Sequence, residues 1–444
     1  MRMRTLPTIG AQMTKPVTVA KQKDSFAFRA LLFFSFVYYA RPEDVIHPLQ
    51  YIPIARIAGI LALLALIMGL SNPQGKMRFP LELKLLFLLF LQMCLSIPFA
   101  FWRGGSFYVV FSEFSRAVIV AVLVGMLVGT LPQLRKLLFV QVTAVSFMAV
   151  SSIVVHNVTN GRLYGAMGGI FENPNDLADN IAVNLPVCLA FFLCARKGAS
   201  KLFWCCCMLA MVYVVYATYS REGFLALAVG AILCVWEFGI KGRRIHLVAL
   251  SAMLLVVFVV AAPSSYYTRL ASTITGQGEE AMDKGSREAR KDLLTRSLEM
   301  MAAHPLLGVG PGNFEYLSGS SAKAHNTYTQ LGAEAGVPAL ILFLLILWAA
   351  HRNLRTVQQS TIYKEDNEFR VLTGGLVASL GAYIVTGFFA STPYHLFPYF
   401  LVAYTTGLYR TAYPFGRMQK RSGANLNVGA SNASDGNKDV AWSY

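Results

Sequence analysis

Two arginines near the start of one predicted helix could bind a phosphorylated substrate. Arg287 and Arg290 follow Ser286, which can cap the helix, and apolar side chains recur behind them at helical spacing. Arginine forks and free backbone N–H groups together suit a phosphate or a pyrophosphate. The alternative is a basic amphipathic helix that lies on the membrane surface and meets anionic lipid headgroups.

Arg221 is another candidate for binding an anion, because it lies in a very short turn between two apolar blocks. A charge at membrane depth is costly, so it is usually functional or tightly paired. Glu222 is its neighbour in the sequence, and a structural ion pair is therefore the alternative interpretation.

His325 is the candidate for proton transfer. The preceding segment 304–314 is rich in glycine, including Gly310, and glycine permits a tight turn and a close backbone approach to a ligand. His325 and Asn326 follow in a segment that leads into an apolar block. A histidine there can act as a base or as a donor to a transferring oxygen. A surface residue without a chemical role is the alternative for a single loop histidine.

Asn173 belongs to a turn that precedes another apolar block. The sequence at 171–176 is FENPND, in which Asn173 stands directly before a proline. This is the chemistry of a turn and of a helix N-cap, which by itself can explain these residues.

The elements that must position these residues are membrane helices. Of the 444 residues 55% are hydrophobic and only 14% are charged, whereas soluble domains have about a quarter charged. The apolar residues come in blocks close to the ~20 residues that a helix needs to cross a bilayer. We predict an all-α, polytopic membrane protein with about twelve spans. They are 26–41, 53–71, 83–101, 109–130, 137–157, 177–195, 202–219, 222–240, 246–263, 337–351, 371–390 and 393–411.

The distribution of basic residues predicts the orientation of these spans. Lys and Arg are concentrated in the short segments after even-numbered spans, which places those segments and both termini in the cytoplasm. The net charge of +16 is therefore a topology signal, and we expect no nucleic-acid partner. The long segment 264–336 lies on the outer face in this topology.

Five regions follow from this pattern. They are a cytoplasmic tail at 1–25, nine spans in 26–263, an outer loop with short helices at 264–336, three spans in 337–411 and a disordered tail at 412–444. Long loops are often functional, so the site is expected in 264–336. No paired carboxylate motif occurs in the outer loops, and neither a metal nor a cofactor is expected.

Taken in order, these motifs resemble the O-antigen ligase and polymerase family. The series comprises FENPN at 171–175, Ser-Arg-x-Gly at 220–223, Arg290 fifteen residues before Pro305, the glycine-rich 304–314, and His325-Asn326 ahead of Gly336. The resemblance extends from about residue 160 to about residue 350, and 304–336 is its most specific part.

The resemblance implies a metal-independent glycan transferase of the bacterial inner membrane. Its donor is a glycan on undecaprenyl pyrophosphate, and an acceptor hydroxyl, often on lipid A–core, attacks with inversion at the periplasmic face. By position, His325 matches the family's loop histidine, which acts as a general base or positions the acceptor, while Arg221 and Arg290 match the arginines that hold the pyrophosphate. Arg287 could replace Arg290 in register. We expect Asn326, Gly310 and Asn173 to contribute to substrate binding.

Three alternatives remain open at this point. The protein could polymerise repeat units of O-antigen or exopolysaccharide, or it could transfer an oligosaccharide to a protein. In another class, it could transport lipid-linked sugars. The absence of an inverted repeat and the scarcity of charges within the spans argue against transport.

Overall fold

The structure is a computed structural model, and it describes residues 25–40, 54–70, 79–166, 171–249, 253, 281–319 and 322–413. These residues are predominantly helical, with one two-stranded hairpin. The helices are α1 (Phe26–Ala40), α2 (Ile54–Leu70), α3 (Leu81–Ser96, continued by a 3₁₀ turn at Ile97–Phe99), α4 (Arg103–Leu127), α5 (Leu131–Val155), α6 (Pro174–Cys194), α7 (Gly198–Ala217), α8 (Arg221–Ile240), α9 (Ala281–Ala303), α10 (Phe314–Leu317), α11 (Thr327–Gln358), α12 (Thr361–Glu365), α13 (Asn367–Thr386) and α14 (Leu396–Ala412). The strands are β1 (Val158–Thr159) and β2 (Arg162–Leu163), which pair antiparallel.

Eight helices of the described residues are long and apolar enough to cross a membrane. They are α3, α4, α5, α6, α7, α8, α11 and α13. The prediction of an all-α polytopic membrane protein is thus confirmed, while the count of about twelve spans stays a prediction. The predicted span 246–263 lies almost entirely outside the described residues, as do nearly all of the tails 1–25 and 412–444.

Helix α11 differs from the predicted span 337–351. It begins at Thr327, inside the predicted outer loop, and its backbone breaks at Gly336, where φ is 85°. Asn326 caps the helix start, and the polar residues before the break are buried against other segments of the chain. Hydropathy alone misses such a start, because polar side chains lower the apolar score of buried helix turns.

Helices α6 and α13 form the centre of the bundle. Of the apolar stretch in each, 72% is buried, against 28% in α7. Small residues allow these helices to approach closely, as they do in other membrane bundles. A Cβ added at Gly375 of α13 would lie 3.1 Å from Ala190 of α6, and one at Gly230 of α8 would lie 3.6 Å from Ala382 of α13.

A buried polar network links the helices inside the bundle. Asn184 of α6 accepts a 2.6 Å hydrogen bond from Gln141 of α5 and donates to the carbonyl of Asn180. The Tyr404 hydroxyl of α14 donates to Gln141. Polar groups in hydrocarbon need such partners, so the network fixes three helices relative to one another.

The bundle has two distinct ends. At one of them Arg135 pairs with Glu368 of another helix at 3.0 Å, and Lys241 pairs at 2.5 Å with Glu237, four residues earlier at the same helix end. These residues lie at the starts of α5 and α13 and at the end of α8. The starts of α6, α8 and α11 lie at the other end, which is the end predicted to face outward.

Candidate functional site

Three capped helix starts lie at the predicted outer end of the bundle. The Asn173 side chain accepts a 2.8 Å hydrogen bond from the N–H of Asn175 at the start of α6. Ser220 caps α8 by accepting from the N–H of Gly223 at 3.2 Å, and Asn326 caps α11 by accepting from two N–H groups at 3.0 Å. Helix N-termini carry a partial positive charge, so this end of the molecule favours anions.

Arg290 is held at this end by a buried carboxylate. Its Nη2 atom lies 3.5 Å from Oε1 of Glu222, whose side chain is only 2% exposed. The Arg290 side chain is 37% exposed and can therefore also meet a ligand. This pair docks α9 onto the first turn of α8, directly beside the exposed Arg221.

His325 is close to the same cluster. Burial and the positive charges of Arg290 and Lys323 lower the pKa of His325 to about 4. The imidazole is therefore neutral at neutral pH and can accept a hydrogen bond. The structure thus places His325 within electrostatic reach of Arg290, although the two residues lie on different segments of the chain.

Two buried acidic side chains, Asp179 and Glu222, lie within electrostatic reach of Arg290. Asp179 is 1% exposed, and neither of its carboxylate oxygens has a hydrogen-bond partner in the part of the chain that the structure describes. Glu222 contributes one more oxygen that has no hydrogen-bond partner within the described ranges. Among the described residues, no three His, Cys, Asp or Glu side chains are grouped so that they could hold a metal ion.

The sequence analysis did not single out Asp179, Lys323 or Glu222 as site residues. Asp176 and Asp179 are three residues apart on α6, a spacing that puts both on one helix face and could have drawn attention to them. Lys323 lies within electrostatic reach of both Asp176 and His325. The position of Lys323 two residues before His325 could have indicated in the sequence that it belongs to the same site.

Arg162 was also missed, and it connects the hairpin to two helices. Its Nε donates to the carbonyl of Thr218 at 2.9 Å, at the end of α7. Its Nη2 donates to Oδ1 of Asn175 at 2.5 Å, at the start of α6. The FENPND turn is therefore held from both sides, by its own cap and by this arginine.

The glycine-rich segment packs along the break in α11. The N–H groups of Val309 and Gly310 donate to the carbonyls of Ala333 at 2.9 Å and Glu334 at 2.8 Å. The N–H of Val337 in turn donates to the carbonyl of Pro305 at 2.7 Å. The break at Gly336 leaves these carbonyl and N–H groups without hydrogen bonds inside the helix. The segment 305–310 supplies their hydrogen-bond partners instead.

The glycines in this region permit close contact between two stretches of protein backbone. A Cβ added at Gly308 would lie 2.3 Å from the carbonyl carbon of Glu334, and one at Gly336 would lie 2.3 Å from the carbonyl oxygen of Leu306. At Gly310 a Cβ would lie 2.3 Å from that of Ala100. We expected a close approach to a ligand, but the approach seen is to the protein itself. Substrate binding by Gly310 remains a prediction.

Glu334 fastens the same region from inside the bundle. This fully buried carboxylate accepts from the N–H of Phe314 at 3.1 Å, from Gln330 at 3.4 Å and from the Tyr394 hydroxyl at 2.5 Å. It therefore joins the glycine-rich segment to the chain that follows α13.

The remaining predicted site residues have structural roles, or their side chains lie outside the described residues. Asn326 caps α11 with its oxygen and donates its Nδ2 to the carbonyl of Phe388 at 3.3 Å, while Asn173 caps α6. Arg287 lies in α9, but its side chain is outside the described residues. The roles of all three in substrate binding, and the choice between Arg287 and Arg290, stay predictions.

The amphipathic helix predicted around Arg290 is confirmed as α9. Leu293 is buried with Phe314 and Ala333, whereas Leu298 on the same helix is exposed. The buried side of α9 therefore packs on α11 and α10. The prediction that the helix also contacts the membrane surface stays untested.

Fold and site together define a polytopic helical membrane protein with a histidine and arginines at one end of its bundle. Residues 206–344 match the family model described as O-Antigen ligase. The resemblance to the O-antigen ligase and polymerase family is thus confirmed, and the matched segment contains Arg221, Arg290 and His325.

A curated relative supports the same resemblance. The teichuronic acid biosynthesis protein TuaE of Bacillus subtilis (strain 168) is 21% identical over 271 residues, which are 55% of this chain and 53% of that protein. The chain therefore spans about half the length of the curated relative that it matches.

Proposed function

We propose that the protein transfers a glycan from undecaprenyl pyrophosphate to an acceptor hydroxyl at the periplasmic face of the bacterial inner membrane. The observation that carries this proposal is that Arg290 and Lys323 act electrostatically on His325, which lies directly before the capped start of α11. Cations and helix N-termini suit a pyrophosphate, and a neutral histidine suits a hydroxyl proton.

Arg290 and Arg221 would stabilise the leaving group. As the bond between the anomeric carbon and the pyrophosphate oxygen breaks, negative charge develops on that oxygen. Arg290 is already oriented by Glu222, and Arg221 is the first residue of α8. Preorganised cations of this kind lower the barrier because they need no reorientation during the reaction.

His325 would accept the proton of the attacking hydroxyl. The acceptor oxygen forms the new bond to the anomeric carbon, the pyrophosphate leaves from the opposite face, and the hydroxyl proton passes to the imidazole. This single displacement inverts the anomeric centre. An anionic donor would offset the charges of Arg290 and Lys323, so its binding would raise the pKa of His325 from about 4 and make it a stronger base.

We favour a ligase with lipid A–core as the acceptor. The second candidate is polymerisation of glycan repeat units in O-antigen or exopolysaccharide. The relative is named for teichuronic acid biosynthesis, not for lipid A–core, and this favours the second candidate. Both reactions would use the same donor chemistry and differ in the hydroxyl that attacks.

The test is a comparison of the native host with and without the protein, read on a lipopolysaccharide gel and by an assay of secreted polysaccharide. Loss of glycan-capped lipid A–core with accumulation of lipid-linked chains supports the ligase. An unchanged ladder with secreted polysaccharide lost supports the polymerase instead.

Complementation of the host that lacks the protein with single variants distinguishes loss of the site from loss of folding. His325→Ala and Arg221→Ala should each fail to restore transfer while inserting normally, whereas His304→Ala, an exposed histidine of the same region, should restore it. Transfer by the purified protein in detergent would exclude pure transport, because detergent leaves no two compartments. Full activity in both site variants would overturn the proposed roles.

A further inference from the structure

The chain between α13 and α14 contacts His325 and its neighbours, although it lies outside the segment 206–344 that matches the family. We propose that Ser391 is a positioning residue for His325, and that the segment 387–392 is part of the site. This proposal rests on the role of His325 in the proposed function.

The segment 387–392 holds the start of α11 through hydrogen bonds to His325 and to the two residues that follow it. The N–H of His325 donates to Oγ of Ser391 at 2.9 Å. Further bonds join Asn326 and Thr327 to the carbonyls of Gly387 (2.8 Å), Phe388 (3.3 Å) and Ala390 (2.6 Å), and the N–H of Thr392 to the Thr327 hydroxyl (3.1 Å). His325 is thus fixed through its backbone by a segment more than sixty residues away.

The backbone of His325 needs such support. Its φ is 51°, in the left-handed region that residues with a Cβ seldom adopt. A conformation of this kind persists only where the surroundings determine it. The N–H of His325 points at Ser391 because of this turn, and the imidazole leaves the backbone in the direction that the same turn sets.

The supporting groups are shielded from water. Ser391 is 7% exposed, and Thr327 and Thr392 are fully buried. Removing the Ser391 hydroxyl would leave the N–H of His325 without its partner in a place that water reaches poorly. The backbone could then relax, and the imidazole would move relative to Arg290 on α9 and Lys323 in its own loop, the charged groups that act on it.

The first experiment measures the position of His325 without using activity. The protein is labelled on its histidines and titrated by NMR in detergent, and the His325 signal is assigned by its loss in His325→Ala. We expect the pKa of His325 to move from about 4 toward the ordinary value in Ser391→Ala and to stay low in Ser391→Thr, which keeps a γ-hydroxyl. Ser379→Ala is the matched control, because the hydroxyl of that buried serine of α13 has no hydrogen-bond partner among the residues that the structure describes.

The second experiment measures transfer by the same variants. A misplaced catalytic group can lower the rate about 10–100-fold, so Ser391→Ala should lose that much kcat with little change in KM. The acid limb of its pH–rate profile should also move to higher pH. Ser391→Thr should recover most of the lost kcat and most of the shift in the pH–rate profile. A structural role alone would lower the amount of folded protein without moving the pH profile.

The outcomes separate this proposal from the proposed function. If the His325 signal titrates identically in Ser391→Ala and the wild type, Ser391 does not position His325. Equal effects of Ser391→Ala and Ser379→Ala would overturn the proposal as well. If the titration moves as expected but His325→Ala still transfers glycan, the positioning stands and the assigned role of His325 fails.

Discussion

The charges around His325 determine the pH at which this residue can accept a proton. Burial and two nearby cations favour the neutral imidazole, which holds the pKa near 4 in the absence of a donor. As the pH falls through this value, the imidazole takes up a proton and can no longer act as a base. Activity that depends on neutral His325 should therefore decrease as the pH is lowered.

Lys323→Gln should move the acid limb of the pH–activity profile to higher pH. The substitution removes one of the two positive charges that lower the pKa of His325, so the imidazole becomes protonated earlier during acidification. The measurement is the pH dependence of kcat/KM for transfer by the purified protein, which reports groups of the free enzyme. Lys201→Gln, at an exposed lysine of α7, is the control, and a limb that moves equally in both variants would contradict the expectation.

Arg290→Ala should lower stability as well as transfer. The substitution leaves the buried Glu222 carboxylate without this partner, and because Arg290 is 37% exposed we expect the low end of such losses, about 1–2 kcal/mol. Thermal unfolding in detergent measures the loss. The double variant with Glu222→Gln should regain stability because the buried charge is gone, but it should not regain transfer. Recovery of transfer in the double variant would show that Arg290 serves the fold alone.

The sequence singled out some residues of the cluster around Arg290 and His325 and not others. Arg290 and His325 could be selected because their order along the chain resembles a known family. Glu222 and Asp179 could not be assigned to the same cluster, because only the packing of α6 against α8 brings them together. Ser391 is further still from His325 in sequence, and nothing local to it indicates the contact.

Among the elements, the broken helix α11 shows how glycine shapes the site. Gly336 adopts a φ of 85° and touches the backbone of Leu306, so it serves both the break and the docking of the glycine-rich segment. The apolar block at 337–351 predicted most of α11 after the break. It missed the turns before it, since Thr327, Gln330 and Glu334 are polar residues buried by partners distant in sequence.

Gly336→Ala should destabilise the protein by about 2 kcal/mol or more, from positive φ and steric overlap together. The added Cβ would lie 2.3 Å from the carbonyl oxygen of Leu306, which is backbone and cannot move aside cheaply. Gly198→Ala is the control, because its Cβ would meet no atom of the described residues within 4 Å. The readout is the midpoint of thermal unfolding in detergent, and equal midpoints for the two variants would contradict the close packing described.

For the whole molecule, apolar blocks and basic residues predicted an alternating bundle with two unlike ends, and the arrangement of helix starts agrees with that alternation. Which helices lie at the centre was not predictable, because α6 and α7 are similarly apolar and differ in their neighbours. Burial in a membrane bundle depends on helix contacts, and hydropathy does not encode these.

Cysteine labelling should establish the orientation of the two ends. In a background without the seven native cysteines, Asn160→Cys in the hairpin turn should react with an impermeant thiol reagent added to intact spheroplasts. Lys364→Cys in α12 should react only after the membrane is opened. Both positions are exposed, so burial would not explain a difference. The reverse pattern would place the His325 end in the cytoplasm and overturn the periplasmic assignment.

The contacts of the glycine-rich segment and of His325 also bear on how the chain is made. Gln92 and Ser96 of α3 hold the carbonyls of Leu306 and Leu307, and Ser391 holds His325. The region 206–344 is therefore braced by residues synthesised well before it and well after it. A nascent chain that had just emerged as far as residue 344 would carry every residue of the matched segment and still lack the support for His325. During synthesis, the arrangement around that histidine can be completed only after α13 has entered the membrane.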